Sequence, residues 1–184
     1  MTSIGLQLYS IRDIAAADLL GTLTRVAEIG YDGVEFAGTY GVDAATVRQG
    51  LADAGLAAAG AHVSVPLLEE SLAEQIELAL ALGCPAIGCP GFWNVDYTLP
   101  TFERMAQLFN QAGAACADAG IGFYYHIHGH EFVEVAPGQS GMDVLLTQTD
   151  PALVTLQPDV YWVAKAGVDP VAFVREHAAR CSSL

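Results

Sequence analysis

The stretch "GIGFYYHIHGHEF", Gly120 to Phe132, is the one on which the fold turns. It follows a segment with helical spacing, Phe102, Met105, Phe109 and Ala112, and Gly120 stands where that helix would end, since glycine takes the left-handed conformation that satisfies the last carbonyls. Beyond Gly120 the residues alternate. Phe123, Tyr125 and Ile127 share one face; Gly122, Tyr124, His126 and His128 share the other. His130 and Glu131 fall on the loop that follows, where solvation is the plainer reading.

The same unit, amphipathic helix, glycine and short apolar strand, recurs along the chain. It is seen in "RVAEIGYDGVEF", "GLADAGLAAAGAHV", "ALALGCPAIGC" and "ACADAGIGFYYHI", with glycines at 30, 55, 83 and 120. Strands are predicted near residues 4–9, 33–37, 58–63, 85–89, 121–127 and 153–158, and strands alternating with helices imply βαβ units and a parallel sheet. An open sheet covered on both sides would read as continuous apolar runs. Here Val34 and Phe36 oppose Gly33 and Glu35, and Ala61 and Val63 oppose Gly60, His62 and Ser64. One apolar face and one small-then-polar face suit a barrel, with helices outside and glycines in the narrow interior. The fold class is therefore α/β, a (β/α)8 barrel that is incomplete, with about six βα units in one partial domain spanning residues 1–184. A complete barrel takes about 250 residues. The two sheet edges left open are surfaces through which copies of the chain could pair.

Composition narrows the function. The chain has 184 residues, 53% of them apolar and 15% charged, and no G-x-G-x-x-G or phosphate-loop motif. Seven basic and twenty-one acidic side chains give a net charge of −14, which repels phosphate backbones and argues against nucleic acid. No apolar run is long enough for a membrane span, and the N-terminus lacks a signal-peptide pattern, so a cytoplasmic location is expected. The four cysteines form no C-x-x-C pair and read as buried thiols of a reducing compartment.

Gln7, Tyr9, Glu35, His62, Tyr124, His126, His128, Gln157 and Asp159 are expected to converge at the C-terminal mouth, where barrels keep their active sites. That mix of imidazole, carboxylate and amide suits a sugar or polyol and a divalent ion held by nitrogen and oxygen. His128 and Glu35 are the candidate catalytic groups; Gln7, Tyr9, His62, Trp93 and Glu131 are the candidate substrate contacts. Each has a plainer reading beside it: an inter-strand ion pair for Glu35, a hydrogen-bonded structural histidine for His62, a loop anchor for Trp93. Trp162 reads as packing.

Four segments in order, "GLQLYSIRD" (Gly5 to Asp13), "GYDGVEFAG" (Gly30 to Gly38), "YHIHGHEF" (Tyr125 to Phe132) and "QPDVYWVAKAGVDP" (Gln157 to Pro170), resemble the xylose isomerase-like TIM-barrel superfamily, in its sugar phosphate isomerase/epimerase group. The resemblance implies a divalent ion (manganese, zinc or magnesium) at the barrel mouth, with the Asp ligand at Asp159 and the first ligand at His126, where other members place Glu. It places the third and fourth ligands on strands seven and eight, beyond residue 184. It further implies an isomerase or epimerase that moves a proton on the carbon beside a carbonyl. A catalytically inert fragment, a dehydratase or an oxidoreductase acting on polyols are the alternatives. Against the family pattern, Ile127 stands for Asn, Gly129 for an acidic residue and His130 for Phe.

Overall fold

Each of the first three helix-to-strand turns is made by a glycine in the left-handed region: Gly30, Gly55 and Gly83 have φ of 105°, 69° and 82°. The computed structural model describes residues 3–184. The strands are β1 (Gly5–Gln7), β2 (Gly33–Phe36), β3 (Ala57–His62), β4 (Ala86–Cys89), β5 (Gly122–Ile127) and, after a hairpin of β6 (Glu134–Ala136) and β7 (Gln139–Ser140), β8 (Thr155–Pro158). The helices between them are α1 (Arg12–Ala17), α2 (Leu19–Ile29), α3 (Ala44–Ala54), α4 (Val65–Glu70), α5 (Leu72–Leu82), α6 (Leu99–Asp118) and α7 (Gly141–Gln148); α8 (Val160–Lys165) and α9 (Pro170–Glu176) follow β8. All six strands of the main sheet are parallel, in the order β1-β2-β3-β4-β5-β8.

The sheet is curled, as its side chains show. Glu35 on β2 and Gln157 on β8 are four strands apart in the order; a flat sheet at about 4.8 Å per strand would hold them about 19 Å apart. Instead Gln157 Nε2 donates to Glu35 Oε1 at 2.8 Å, across the interior. The alternation read along β5 holds: on the outer face Phe123 and Tyr125 pack on Phe109 of α6, with ring centroids 5.8 and 4.9 Å apart. On the inner face the ring of Tyr124 fills the interior against Gly60 and Gly88, and a Cβ at Gly60 would sit 2.8 Å from the Tyr124 hydroxyl. Glycine is required there by close approach rather than by backbone angle.

Two expectations need correction. Strand one stops at Gln7 rather than running to residue 9, because the Gln7 side-chain oxygen accepts the Tyr9 N–H and starts a 3-10 turn over Leu8–Ile11. His130 and Glu131 are not on a solvated loop. They form a 3-10 turn, His130–Phe132, with Glu131 fully buried. At the far edge Cys181 makes a parallel bridge to Leu156, and Ser182 N donates to Leu156 O at 2.9 Å, where a strand next to β8 would begin.

Candidate functional site

The polar inner face converges on one carboxylate. Glu35, 8% exposed, accepts three hydrogen bonds and lies against a fourth polar group, the His62 ring. Tyr124 OH (2.5 Å) and Gln157 Nε2 (2.8 Å) donate to its Oε1. Gln7 Nε2 (2.5 Å) and His62 Nε2 (3.2 Å) reach its Oε2. A buried carboxylate is tolerated when its lone pairs are filled in this way. The network also fixes its neighbours. With its amide nitrogen committed to Glu35, Gln157 turns Oε1 toward His126 Nδ1 at 2.8 Å and His62 Nε2 at 3.2 Å. His126 thus carries its proton on Nδ1, leaving the Nε2 lone pair free, which is the tautomer that binds metals.

His126 Nε2 lies 3.9 Å from Asp159 Oδ2. The other oxygen of Asp159 caps α8, accepting from Tyr161 N at 2.9 Å and Trp162 N at 3.2 Å, so Oδ2 is held in place. Two ligands bonded tetrahedrally to one ion at about 2.1 Å stand about 3.4 Å apart, so this pair fits as two ligands of a divalent ion after a shift of a few tenths of an ångström. Among the described residues no group of three or more His, Cys, Asp or Glu side chains forms a site of its own.

The histidines are kept neutral. Burial lowers the pKa of His62 against the upward pull of Glu35, so the 3.2 Å contact between them is that of a neutral ring beside a carboxylate rather than an ion pair. Burial, then His62, lowers His126. His128 is brought down to about 4 by burial and by His126, whose ring centroid is 4.7 Å away. Burial also pushes the thiols of Cys84, Cys89 and Cys116 up to about 12, which removes them as nucleophiles.

Two cavities meet at the mouth. One, about 420 Å³, takes in Tyr9, His62, Trp93, His126 and His128; the other, about 530 Å³, runs past Tyr9, Trp93, His128, His130, Trp162 and Lys165. Trp93, half exposed, sets its ring edge-on to His128 at 5.5 Å. Tyr9, His62, Trp93, His126 and His128 are therefore brought together on one open space. Gln7 and Glu35 stand beneath it, orienting the histidines. Glu131, expected as a substrate contact, faces away: its Oε1 accepts from Tyr125 OH at 2.5 Å and His128 N at 3.0 Å in the interior, because β5 turns Tyr125 outward and the loop folds back over it. Trp162 and Lys165 were not singled out as site residues. Lys165 Nζ sits 4.5 Å over the Trp162 ring, and the signal for them is their place on the short helix that Asp159 caps, Trp162 in its first turn and Lys165 at its end.

The sequence profile of a family described as the xylose isomerase-like TIM barrel matches residues 23–181. The chain belongs to this family. Two solved structures similar to this family member are described as sugar phosphate isomerase/epimerases of Parabacteroides distasonis. One is 27% identical with a TM-score of 0.84, covering 98% of this chain and 77% of that one. The other is 25% identical with a TM-score of 0.85, covering 97% and 72%. A D-allulose 3-epimerase from Methylomonas, 15% identical with a TM-score of 0.76 over 98% and 71%, shares the fold. A search of curated proteins gives no match. No helix of the described residues is long and apolar enough to cross a membrane.

Proposed function

We propose that this family member acts on a sugar or sugar phosphate as an isomerase or epimerase, moving a proton on the carbon beside a carbonyl, with a divalent ion held in part by His126 and Asp159. The observation that carries the reading is the 3.9 Å approach of His126 Nε2 to Asp159 Oδ2 at the mouth of the curled sheet. The two similar sugar phosphate isomerase/epimerases support it. A bound ion would supply a Lewis acid for the carbonyl oxygen. The rest falls to the chain's own groups. Trp93 and Tyr9 wall the sugar, and His62 presents a ring edge to it. His128, neutral and lining both cavities, is the group placed to take a proton from substrate carbon. Glu35 acts through Gln157 and His62 as a positioning residue, since both its oxygens are already committed to Tyr124, Gln157 and Gln7.

Metal content of purified protein tests this. Wild type is expected to hold a divalent ion that His126→Ala and Asp159→Ala lose at least tenfold; equal content in all three sinks the assignment. The rival reading, an inert chain that binds ligand only, rests on there being two candidate ligands at the mouth. Metal-dependent turnover of any aldose–ketose or epimer pair by the 184-residue chain rules it out.

A further inference from the structure

The cavity that opens at His62, His126 and His128 does not end there. It passes over the rim of β2 and β3, and its far wall is Phe36, Val63, Leu67, Leu78, Ala79 and Leu82. Phe36 ends β2, Val63 directly follows β3, and Leu67 lies on α4. Leu78, Ala79 and Leu82 lie on α5. The space therefore joins the polar barrel mouth to the layer between sheet and helices, a layer that proteins ordinarily pack without voids much larger than a water. No Asp, Glu, Lys or Arg lines it. The polar groups on that side are Thr39, Ser64 and Gln75, and the Gln75 amide is turned to Ser71 Oγ at 3.3 Å.

We infer that this arm is a subsite for an apolar substituent, so that the ligand is a polyol or sugar bearing an uncharged aryl or alkyl group rather than a bare sugar. The inference rests on the sugar reading above for the polar end and on the arm alone for the other. Hydroxyl groups pushed against Phe36, Val63 and Leu82 would lose their water partners without replacement, a cost that a phosphate would raise further. Water held there finds few of the two to four polar partners that a buried water needs, so an apolar group displaces it favourably. A total of about 420 Å³ lies within the range of small-molecule sites and accommodates a ring-sized substituent together with a sugar head. Charge is left to the second cavity, where Lys165 stands.

Calorimetric titrations test the arm, with glucose, galactose and xylose beside their phenyl β-glycosides and benzyl alcohol alone. For the sugar that binds, the phenyl glycoside is expected to bind about tenfold or more tighter than the free sugar, the gain from burying one ring. Leu78→Trp, which fills the arm, is expected to bring that ratio to about one. Leu67→Asp, at a residue 41% exposed and so outside the core, is expected to lower it as well. A ratio near one in wild type, or one that neither variant changes, overturns the subsite. Binding of benzyl alcohol that Leu78→Trp abolishes, with no sugar bound by any form, upholds the arm and refutes the sugar reading. Binding of neither benzyl alcohol nor glycoside refutes the arm.

Discussion

At the scale of the residue, His130 shows what burial does to a titratable group. Its ring stacks on Tyr97 with centroids 4.6 Å apart and meets Phe92 edge-on at 5.0 Å, while its Nε2 has no hydrogen-bond partner. Burial, then His128, lowers its pKa from 6.5 to about 4. Glu131 lies 3.4 Å away, but burial drives that carboxyl toward its neutral form, so it does not hold an imidazolium. A base depressed in the fold takes up its proton more readily when unfolded, so stability is intact above pH 6.5 and is lost as pH falls toward 4. His130→Phe keeps the aromatic contacts and removes the proton. Urea titrations from pH 7 to pH 4 should show wild type losing about 2 kcal/mol more than the variant, and equal losses would contradict the burial argument. The inward turn of His126 and His128 was legible in the sequence because strand alternation has a fixed period. The burial of Glu131 was not: it depends on Tyr125 reaching out from the opposite face of β5 to donate to it, a contact that no local pattern encodes.

Between elements, two kinds of contact decide stability, close backbone approach and capping. Gly113 in α6 faces the chain before β8: a Cβ there would sit 2.6 Å from the Leu153 carbonyl oxygen, and a backbone atom cannot rotate away. Gly→Ala in a helix interior gains about 1 kcal/mol from propensity, but overpacking against fixed backbone costs about 1–3 kcal/mol. Gly113→Ala is expected to destabilise by about 1 kcal/mol in urea unfolding; a stabilised variant would show that α6 can slide. The caps of α8 and α9 form a matched pair. Asp159 accepts from Tyr161 N and Trp162 N, and Asp169 from Val171 N and Ala172 N. Either change to Ala should cost about 1 kcal/mol. Only Asp159→Ala should also change metal content, because only Asp159 approaches a histidine of the mouth; equal metal loss in both would make the effect one of folding. Strands and their order were readable at this scale from glycine stops and alternation. The β6–β7 hairpin was not, since strands of three and two residues are too short to show a period. Nor was the cavity's apolar side, since Phe36 and Val63 look like any outward core positions until they are seen to line one space with Leu67 of α4 and Leu78 of α5.

For the whole molecule, charge and edges oppose one another. The sheet has edges at β1 and at the Cys181 bridge, where backbone groups invite pairing with another chain. Just before β1, Ile4 bonds only toward the β2 side, its N–H to Asp32 Oδ2 and its carbonyl to Asp32 N, both at 2.8 Å, and Ile4 itself is 62% exposed. Against this stands a net charge of −14 on 184 residues, which keeps copies apart as long as the field reaches between them. The reach is about 30 Å at about 0.01 M salt and about 3 Å at about 1 M. Sedimentation of the chain should therefore give a single-copy mass in the dilute buffer and a larger, concentration-dependent mass in the concentrated one. The direction distinguishes the causes: association held by ion pairs weakens as salt is added, whereas association through strand edges and apolar surface strengthens. Replacing Ile4 by Lys adds a charge that strand edges tolerate poorly on pairing, and it should reduce the high-salt association. If the mass stays constant from one salt limit to the other and Ile4→Lys changes nothing, the edges are already protected by their own twist and short length, and the inner network, from Gln157 across to Glu35, is sufficient to keep the open sheet curled.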